Sequence, residues 1–192
     1  WTEGAKSYLV SETISSALTI VSGVAHEVYV NGKKMDGILP EYIEDTHEMR
    51  VKFCIPMCPG DTIRIMKYTV FQDSIRHADC REAARACMDE VCQTGISYYY
   101  EKQKRYLTTF WENSELEIRG DKELNQSVCF NMYQLLQSAG TDGCSSIAAK
   151  GMSGEGYEGH YFWDTEMFML PYFVLTNPGI AKALLEYRYK TL

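Results

Sequence analysis

The sequence is short of positive charge and has no apolar run that suits a membrane. It contains 19 Lys and Arg residues against 26 Asp and Glu residues, which gives a formal net charge of −7. Nucleic acids and anionic membranes are bound by basic faces that neutralise phosphate groups, so this balance argues against both partners. The uncharged stretch Met167–Ala181 is interrupted by Pro171 and Pro178, and it is shorter than the roughly 20 apolar residues of a membrane-spanning helix. We therefore expect neither a nucleic-acid partner nor a membrane partner.

The sequence also lacks a CxxC pair, a secretory signal and an initiating Met. Its 7 cysteines are odd in number and do not form the two tight pairs that a zinc site needs. We interpret them as reduced thiols and expect a cytoplasmic protein that holds no metal. Trp1–Gly4 shows no basic region followed by an apolar core, as a secretory signal would. Because the chain does not begin with Met and a helical pattern continues to Leu192, we expect it to be part of a longer protein.

Apolar residues make up 45% of the sequence and charged residues 23%, which is typical of a globular protein. The periodicity of the apolar residues changes twice and divides the chain into three segments. Residues 1–72 have the pattern of β-strands, residues 73–115 have that of helices, and residues 116–192 continue with further helices. We therefore predict an α+β fold in which an antiparallel β-sandwich portion precedes the helices.

The β segment shows alternating apolar residues and turn signals. Apolar residues at every second position of Met49–Ile55 indicate a half-buried strand. Asn31-Gly32 lies between two short apolar runs and predicts a type I′ hairpin. A turn at Pro59–Asp61 precedes the last strand of the segment. The five or six short strands that we expect lie at residues 8–10, 18–21, 28–30, 33–35, 49–55 and 62–66.

The helical segments carry start and stop signals. Gly95 ends or interrupts a first helix, and Asp121 is placed to cap the start of a later one. Asn177 followed by Pro178 predicts the start of a final helix, because Pro suits the first helical position. The apolar face of each helix is formed by residues at 3.6-residue spacing. These faces are Ala84, Cys87, Met88 and Val91 in the first helix, Tyr99, Gln103, Tyr106 and Phe110 in the second, Leu124, Val128, Met132, Leu135 and Leu136 in the third, and Ile180, Leu184 and Tyr187 in the last.

The most unusual stretch of the sequence is Gly151–Glu166. It has four glycines between Gly151 and Gly159, and a His, three aromatic residues and two carboxylates follow. Glycines at this density indicate a loop that needs positive φ or a close approach of the backbone. Carboxylates and imidazole are costly to bury without partners. We therefore interpret this stretch as a candidate binding site rather than a core segment.

Several chemistries could use these residues. A phosphate loop is weakly supported, because the nearest Lys, Lys150, lies before the glycines. His160, Asp164 and Glu166 have acceptable types for a metal site, but His160 and Asp164 share a face only if the residues between them are helical. Sugar binding fits best, because a ring such as Trp163 stacks on a pyranose and a carboxylate such as Asp164 accepts hydrogen bonds from hydroxyls. In the competing structural interpretation, Trp163 and Asp164 only cap and pack the next helix.

A glycosidic reaction would also need a carboxylic acid that protonates the leaving oxygen. The stretch offers four formal candidates, and their spacing does not choose among them. The candidates are Glu155, Glu158, Asp164 and Glu166.

The run Ala149–Pro171 resembles the segment that opens the catalytic domain of glycoside hydrolase family 65, which holds maltose, kojibiose, trehalose and nigerose phosphorylases. The helices before and after it are also similar to those of the family, and the resemblance is strongest over residues 121–192. It implies that residues 1–72 belong to an N-terminal β-sandwich, residues 73–115 to a helical linker, and residues 116–192 to the first helices of an (α/α)6 barrel. The flanking matches are Phe130-Asn131 and Gln134–Gln137 before the run, and Asn177-Pro178 and Ala183–Tyr189 after it.

This resemblance implies an enzyme that cleaves an α-glucosidic disaccharide with inorganic phosphate. The anomeric centre is inverted and β-glucose 1-phosphate is released. Phosphate is then a co-substrate, no other cofactor is expected, and a homodimer is the oligomer to test because members of the family are often dimers. The alternatives are a hydrolase on the same scaffold and a non-catalytic carbohydrate-binding or scaffolding module.

The resemblance also implies roles for single residues. Trp163 and Asp164 would line the pocket for the non-reducing glucose, and His160 and Phe162 would form its wall. Glu166 would orient these residues from behind. The family's general acid and its phosphate loop belong to later motifs, so we predict that this chain holds no catalytic residue and is inactive by itself.

Overall fold

The computed structural model describes residues 1–45, 48–154 and 156–192 of the chain. These residues form two compact units, Trp1–Tyr99 and Tyr100–Leu192. Antiparallel strands and helices are both present, so the predicted α+β fold is confirmed. The predicted domain boundaries after residues 72 and 115 stay predictions.

The secondary structure follows the chain in the order strands, then helices. The strands are β1 (Thr2–Glu3), β2 (Lys6–Glu12), β3 (Thr19–Val30), β4 (Lys33–Lys34), β5 (Glu41–Glu44), β6 (Met49–Lys52) and β7 (Ile63–Asp73). The helices are α1 (Cys80–Thr94), α2 (Ile96–Ser114), α3 (Lys122–Ser138), α4 (Leu170–Thr176) and α5 (Pro178–Thr191), with a 3₁₀ turn at Tyr157–Gly159 and a π-helical turn at Thr165–Met169.

Strand β3 is the centre of the larger sheet. Strand β2 pairs with one side of β3 and β7 with the other, and both pairings are antiparallel. Strand β1 extends the sheet beyond β2, and β4 pairs with the end of β3. Strands β5 and β6 form a separate antiparallel pair.

Strand β3 unites two strands that the sequence predicts separately, at residues 18–21 and 28–30. Gly23 lies between them and has no side chain to pack. A Cβ atom at Gly23 would lie 2.8 Å from Cγ2 of Val70 and 2.9 Å from the ring of Tyr8. The glycine therefore makes room for the side chains of Tyr8 and Val70 over the strand and does not interrupt the strand.

Two other predicted strand ends are wrong. Strand β7 continues to Asp73, which pairs with Ile20, so the predicted change to helix near residue 73 does not occur and α1 begins at Cys80. The strand predicted over residues 49–55 ends at Lys52, because its partner β5 begins at Glu41, the residue that pairs with Lys52. Both ends are decided by the partner strand rather than by the local pattern.

The predicted type I′ hairpin at Asn31-Gly32 is confirmed. Both residues have positive φ, 51° and 79°, and the flanking residues Val30 and Lys33 pair across the turn. Asn31 also anchors the turn, because its side chain donates to Oδ1 of Asp61 at 2.7 Å and accepts from the N–H of Thr62 at 2.9 Å.

Helix α1 covers the core of the first unit. The Asp79 carboxylate caps its start by accepting the N–H groups of Arg81 and Glu82, and Gly95, at φ 79°, follows its last residue as predicted. Ala84 and Met88 of its predicted apolar face are fully buried. They pack with residues of β2, β3 and β7, namely Tyr8, Val21, Ala25, Tyr68 and Val70.

The second unit is held by a core of helical residues and one loop residue. Asp121 caps α3 as predicted, by accepting the N–H of Leu124 at 2.9 Å. Asn177 and Pro178 begin α5 as predicted, but the Asn177 side chain makes no capping bond. The buried core consists of Phe110, Met132, Leu136, Ile147, Phe173, Ile180, Ala181 and Leu184.

No helix among the described residues is long and apolar enough to cross a membrane.

The predicted apolar face of α2 is only partly correct. Phe110 is 1% exposed, whereas Tyr106 is 46% exposed and Gln103 is also exposed. Leu107 and Trp111 pack beside Phe110 on the same core. The helical spacing is right and the C-terminal part of the helix packs on this core, whereas Tyr99 near its start is half-buried.

Glu27 is the polar centre of the larger sheet. Its carboxylate accepts the hydroxyl groups of Tyr29 and Tyr68 at 3.0 and 2.9 Å, and it pairs with the ammonium of Lys34. Burial by itself raises the pKa of Glu27, but the hydrogen bonds from Lys34, Tyr68 and Tyr29 outweigh it, so the pKa lies below the ordinary value of 4.5. The ionised form of Glu27 therefore stabilises the fold.

We predict that Glu27→Gln lowers the free energy of unfolding by about 1–2 kcal/mol at neutral pH, because charge-assisted hydrogen bonds are lost. A group with a lowered pKa contributes stability above its unfolded pKa and loses it as pH falls through its folded pKa. The difference between wild type and Glu27→Gln should thus shrink below pH 4.5. Thermal unfolding of both full-length proteins at a series of pH values measures this difference in stability.

Glu41→Gln is the control for this prediction, because Glu41 forms an exposed pair with Lys52 at 2.9 Å. Such a pair contributes at most about 1 kcal/mol. A Glu27→Gln deficit that stays constant from pH 7 to the acid range would contradict the role given to the Glu27 charge.

Candidate active-site wall

A cavity in the second unit brings together the glycine-rich loop and the start of the π-helical turn. Its volume is about 330 Å³, at the lower end of the range for small-molecule sites. Its wall combines one carboxylate with apolar and aromatic groups. The lining residues are Ile147, Ala149, Tyr157, Phe162, Asp164, Thr165 and Met169.

The π-helical turn places Asp164 at the edge of this cavity. The N–H of Leu170 bonds to the carbonyl of Thr165, five residues earlier. Pro171 follows and has no N–H, so the regular helical bond from that position cannot form. Turns of this kind are frequent at functional sites.

Thr165 anchors the turn between Asp164 and Glu166. It is 2% exposed, and its hydroxyl donates to the carbonyl of Ile147 at 3.4 Å. This bond joins the two segments that line the cavity. The Asp164 side chain makes no capping bond to the helix that follows, and no donor among the described residues binds its carboxylate. The interpretation of Asp164 as a helix cap therefore lacks support.

Two aromatic rings also line the cavity. The rings of Tyr157 and Phe162 meet edge to face, with centroids 5.2 Å apart. Tyr157 and Glu158 both have left-handed backbone conformations, with φ of 53° and 51°, which cost roughly 1–2 kcal/mol for each residue that is not glycine. His160 offsets part of this cost, because its backbone N–H and its Nδ1–H both donate to the carbonyl of Tyr157, at 2.9 and 2.8 Å.

The five residues predicted to bind sugar occupy different places. Asp164 and Phe162 line the cavity, and His160 holds the turn that carries Tyr157. Trp163 is 62% exposed, and its ring packs against that of Phe168 with centroids 5.8 Å apart. Glu166 points to helix α5 and pairs with Arg188 there. The sugar-binding roles of these residues stay predictions.

The pair of Glu166 and Arg188 has fork geometry. Nε of Arg188 donates to Oε1 of Glu166, and Nη2 donates to Oε2, both at 3.0 Å. The hydrogen bond to Glu166 raises the pKa of Arg188 above its ordinary value. Because Glu166 is engaged in this way, it is not available as a catalytic acid in this arrangement. Glu155, another formal candidate, lies outside the described residues.

The metal interpretation of His160, Asp164 and Glu166 finds no support in the geometry. Tyr161 and Phe162 are not helical, so His160 and Asp164 do not share a helix face. Across the described ranges, no group of three His, Cys, Asp or Glu side chains is placed to hold a metal ion.

Several lining residues carry no site signal in the sequence. Ile147 and Ala149 are ordinary small or apolar residues, and they reach the cavity because the loop after α3 folds back. Tyr157 and Met169 belong to the unusual stretch and its continuation, but nothing in their spacing separates them from their neighbours. Only the density of glycines and aromatic residues could have pointed to Tyr157.

Comparison with known families identifies both parts of the chain. Residues 1–110 match the N-terminal domain of glycosyl hydrolase family 65, and residues 129–192 match the central catalytic domain of the same family. The cavity residues therefore lie in the catalytic-domain part. The chain belongs to glycosyl hydrolase family 65, and the family resemblance of its glycine-rich stretch is confirmed.

Curated relatives include disaccharide phosphorylases of three specificities. An α,α-trehalose phosphorylase of Geobacillus stearothermophilus is 50% identical over 128 residues, which is 66% of this chain and 17% of the relative. A kojibiose phosphorylase of Halothermothrix orenii is 34% identical and covers 97% of this chain and 25% of the relative. A nigerose phosphorylase of Lachnoclostridium phytofermentans is 37% identical over 79% of this chain and 20% of the relative.

A solved structure supports the fold. It is described as a candidate kojibiose phosphorylase from the human microbiome, and it matches all of this chain and 25% of its own length with a TM-score of 0.81 and 24% identity. The chain thus spans a quarter or less of the length of these relatives.

The glycine-rich loop yields a prediction at Gly151. Its φ is +55°, and a Cβ atom there would lie 2.6 Å from Oγ of Ser138, a hydroxyl that already donates to the carbonyl of Gln134 at 2.8 Å. Gly151→Ala should lower the free energy of unfolding by about 2–4 kcal/mol, since left-handed strain and overpacking add. Denaturant unfolding of the full-length protein measures this loss.

Gly4→Ala is the matched control, because Gly4 has nearly the same φ, +60°, but no atom within 4 Å of a Cβ. It should cost only about 1–2 kcal/mol. The double variant Gly151→Ala with Ser138→Ala should regain the stability by which Gly151→Ala falls below the control variant. Equal losses for Gly151→Ala and Gly4→Ala would show that the contact with Ser138 contributes nothing.

Proposed function

We propose that the protein containing this chain cleaves an α-glucosidic disaccharide with inorganic phosphate and inverts the anomeric centre to give β-glucose 1-phosphate. The observation that carries the proposal is the Asp164 cavity, whose lining combines a carboxylate without a donor among the described residues with the rings of Tyr157 and Phe162. Trehalose, kojibiose and nigerose phosphorylases among the relatives support this reaction class.

The chemistry of the cavity suits the glucose that is transferred. An ionised Asp164 accepts hydrogen bonds from sugar hydroxyls, and such charge-assisted bonds are about twice as strong as neutral ones. The rings of Tyr157 and Phe162 offer apolar surface to the less polar face of the pyranose. Hydroxyl contacts that strengthen as the anomeric carbon gains positive charge lower the barrier.

In this proposal, phosphate takes the place of the water molecule of an inverting hydrolase. Phosphate is already a competent nucleophile, so the enzyme needs no carboxylate as general base and one carboxylic acid suffices to protonate the leaving oxygen. We assign neither that acid nor the phosphate site to this chain. Its role is to bind and orient the glucose, and phosphate is the co-substrate.

The test of the reaction uses the full-length protein with kojibiose, nigerose, maltose and trehalose, each with and without phosphate. Glucose 1-phosphate that forms only with phosphate is the expected result, and the disaccharide consumed identifies the linkage. Free glucose that forms without phosphate would make the protein a hydrolase. No product from any of the four sugars would contradict the proposed activity.

We predict that Asp164→Asn lowers turnover by roughly 100-fold or more, because two charge-assisted hydrogen bonds that strengthen in the transition state are weakened. The fold should be intact, since Asp164 makes no capping bond. Steady-state kinetics and far-UV circular dichroism of the full-length protein test both parts.

Asp36→Asn serves as the control, because Asp36 is an exposed carboxylate of the first unit. Its kinetic constants should equal those of the wild type. Near-normal turnover of Asp164→Asn would remove Asp164 from the sugar site.

A further inference from the structure

Helix α5 contacts the segment that contains Phe162 and Asp164 through Tyr187 and Arg188. The ring of Tyr187 meets that of Tyr161 edge to face, with centroids 5.1 Å apart. Arg188 binds both carboxylate oxygens of Glu166 and also donates from Nη2 to the carbonyl of Phe162 at 3.4 Å. The three oxygen atoms that accept hydrogen bonds from Arg188 therefore belong to residues on both sides of Asp164 in the sequence.

The same helix end also contacts the loop that precedes Ile147. Nζ of Lys190 donates to the carbonyl of Gly143 at 3.1 Å, in the loop that leads to Ile147. The hydroxyl of Thr165 then joins the two walls through the carbonyl of Ile147. The last turn of α5 is therefore bonded to the segment that contains Phe162 and Glu166 and to the loop that precedes Ile147.

The two hydrogen bonds from Arg188 hold the Glu166 carboxylate in one orientation. The guanidinium is planar and presents its N–H groups in a fixed fork, so it holds Glu166 in one geometry. Lys would keep the charge but lose the fork. The side chains of Arg188 and Glu166 are 31% and 25% exposed, which shields the pair from solvent more than a surface ion pair.

We propose that Arg188 is a positioning residue, which fixes residues 162–166 through Glu166 and the Phe162 carbonyl so that Asp164 faces the sugar. This inference rests on the proposed function and adds to it a residue that does not line the cavity. A displacement of about 1 Å at a reacting centre can cost roughly 100-fold in rate. Arg188→Lys should therefore lower kcat by at least roughly tenfold, with a smaller change in KM, because the sugar-binding groups remain present but are less well aligned.

The experiment compares Arg188→Lys, Glu166→Gln and the double variant in the full-length protein. If Arg188 acts through Glu166, the double variant should be little worse than either single variant, because both remove one interaction. Arg119→Lys is the matched control, since Arg119 donates to Glu117 from both Nε and Nη2 but the pair is 86% and 65% exposed. It should change kcat by less than about twofold.

Hydrogen–deuterium exchange of the same variants gives a readout that does not depend on activity. Faster exchange in Arg188→Lys confined to residues 157–169, with the remaining peptides unchanged, is the expected result. Unchanged exchange in that segment would overturn the positioning role whether or not the wild type is active. Faster exchange with unchanged kcat would overturn the catalytic consequence.

The outcomes also separate this inference from the proposed function. A wild type that is inactive on all four disaccharides, with exchange altered as expected, would contradict the proposed function and support the positioning contact. An active wild type with additive losses in the double variant would support the proposed function and overturn the route through Glu166.

Discussion

The side chain of Arg188 joins helix α5 to the segment that lines the cavity, through Glu166 and the carbonyl of Phe162. Asp164 lies between these two acceptors in the sequence, and it is neither a helix cap nor part of an ion pair among the described residues. Its orientation therefore depends on groups that hold its neighbours. Thr165, buried and bonded to Ile147, contributes from the other side. The contacts of Arg188 and Thr165 hold the residues beside Asp164, in the way that packing and hydrogen bonds around a site fix its geometry.

The cavity also depends on backbone conformations that are costly by themselves. Tyr157 and Glu158 adopt left-handed φ without the freedom of glycine, and Gly151 lies against Ser138 where a side chain would not fit. Two hydrogen bonds from His160 to the Tyr157 carbonyl stabilise the turn. Strain of this kind persists where the surrounding structure enforces it and is common near functional sites. It explains why the stretch has a composition that no helix or strand would need.

The features that were predicted correctly from the sequence are those that depend on a few neighbouring residues. Asn31-Gly32 makes the hairpin, Asp121 caps α3 and Gly95 ends α1, because each requires only a local φ or one side-chain acceptor. The errors concern features that a distant partner decides. Gly23 continues β3 because Tyr8 and Val70 pack over it. Helix α2 has the right spacing, but Tyr106 is 46% exposed and Phe110 is 1% exposed, because burial depends on which elements pack against each turn.

For the site, the sequence by itself determined which stretch is unusual, and its likeness to family 65 singled out five residues, of which two line the cavity. The five are His160, Phe162, Trp163, Asp164 and Glu166, and Phe162 and Asp164 are the two in the lining. The sequence also determines family membership, because the two domains of family 65 are matched along residues 1–110 and 129–192. Only the tertiary structure decided that Ile147 and Ala149 complete the cavity, that Glu166 turns away to Arg188, and that Trp163 packs on Phe168. The physical reason is that the cavity wall is formed by residues from separate segments of the chain, which meet only in the folded structure. Sequence spacing reports neighbours along one helix or strand, whereas the contacts between segments depend on how their surfaces pack.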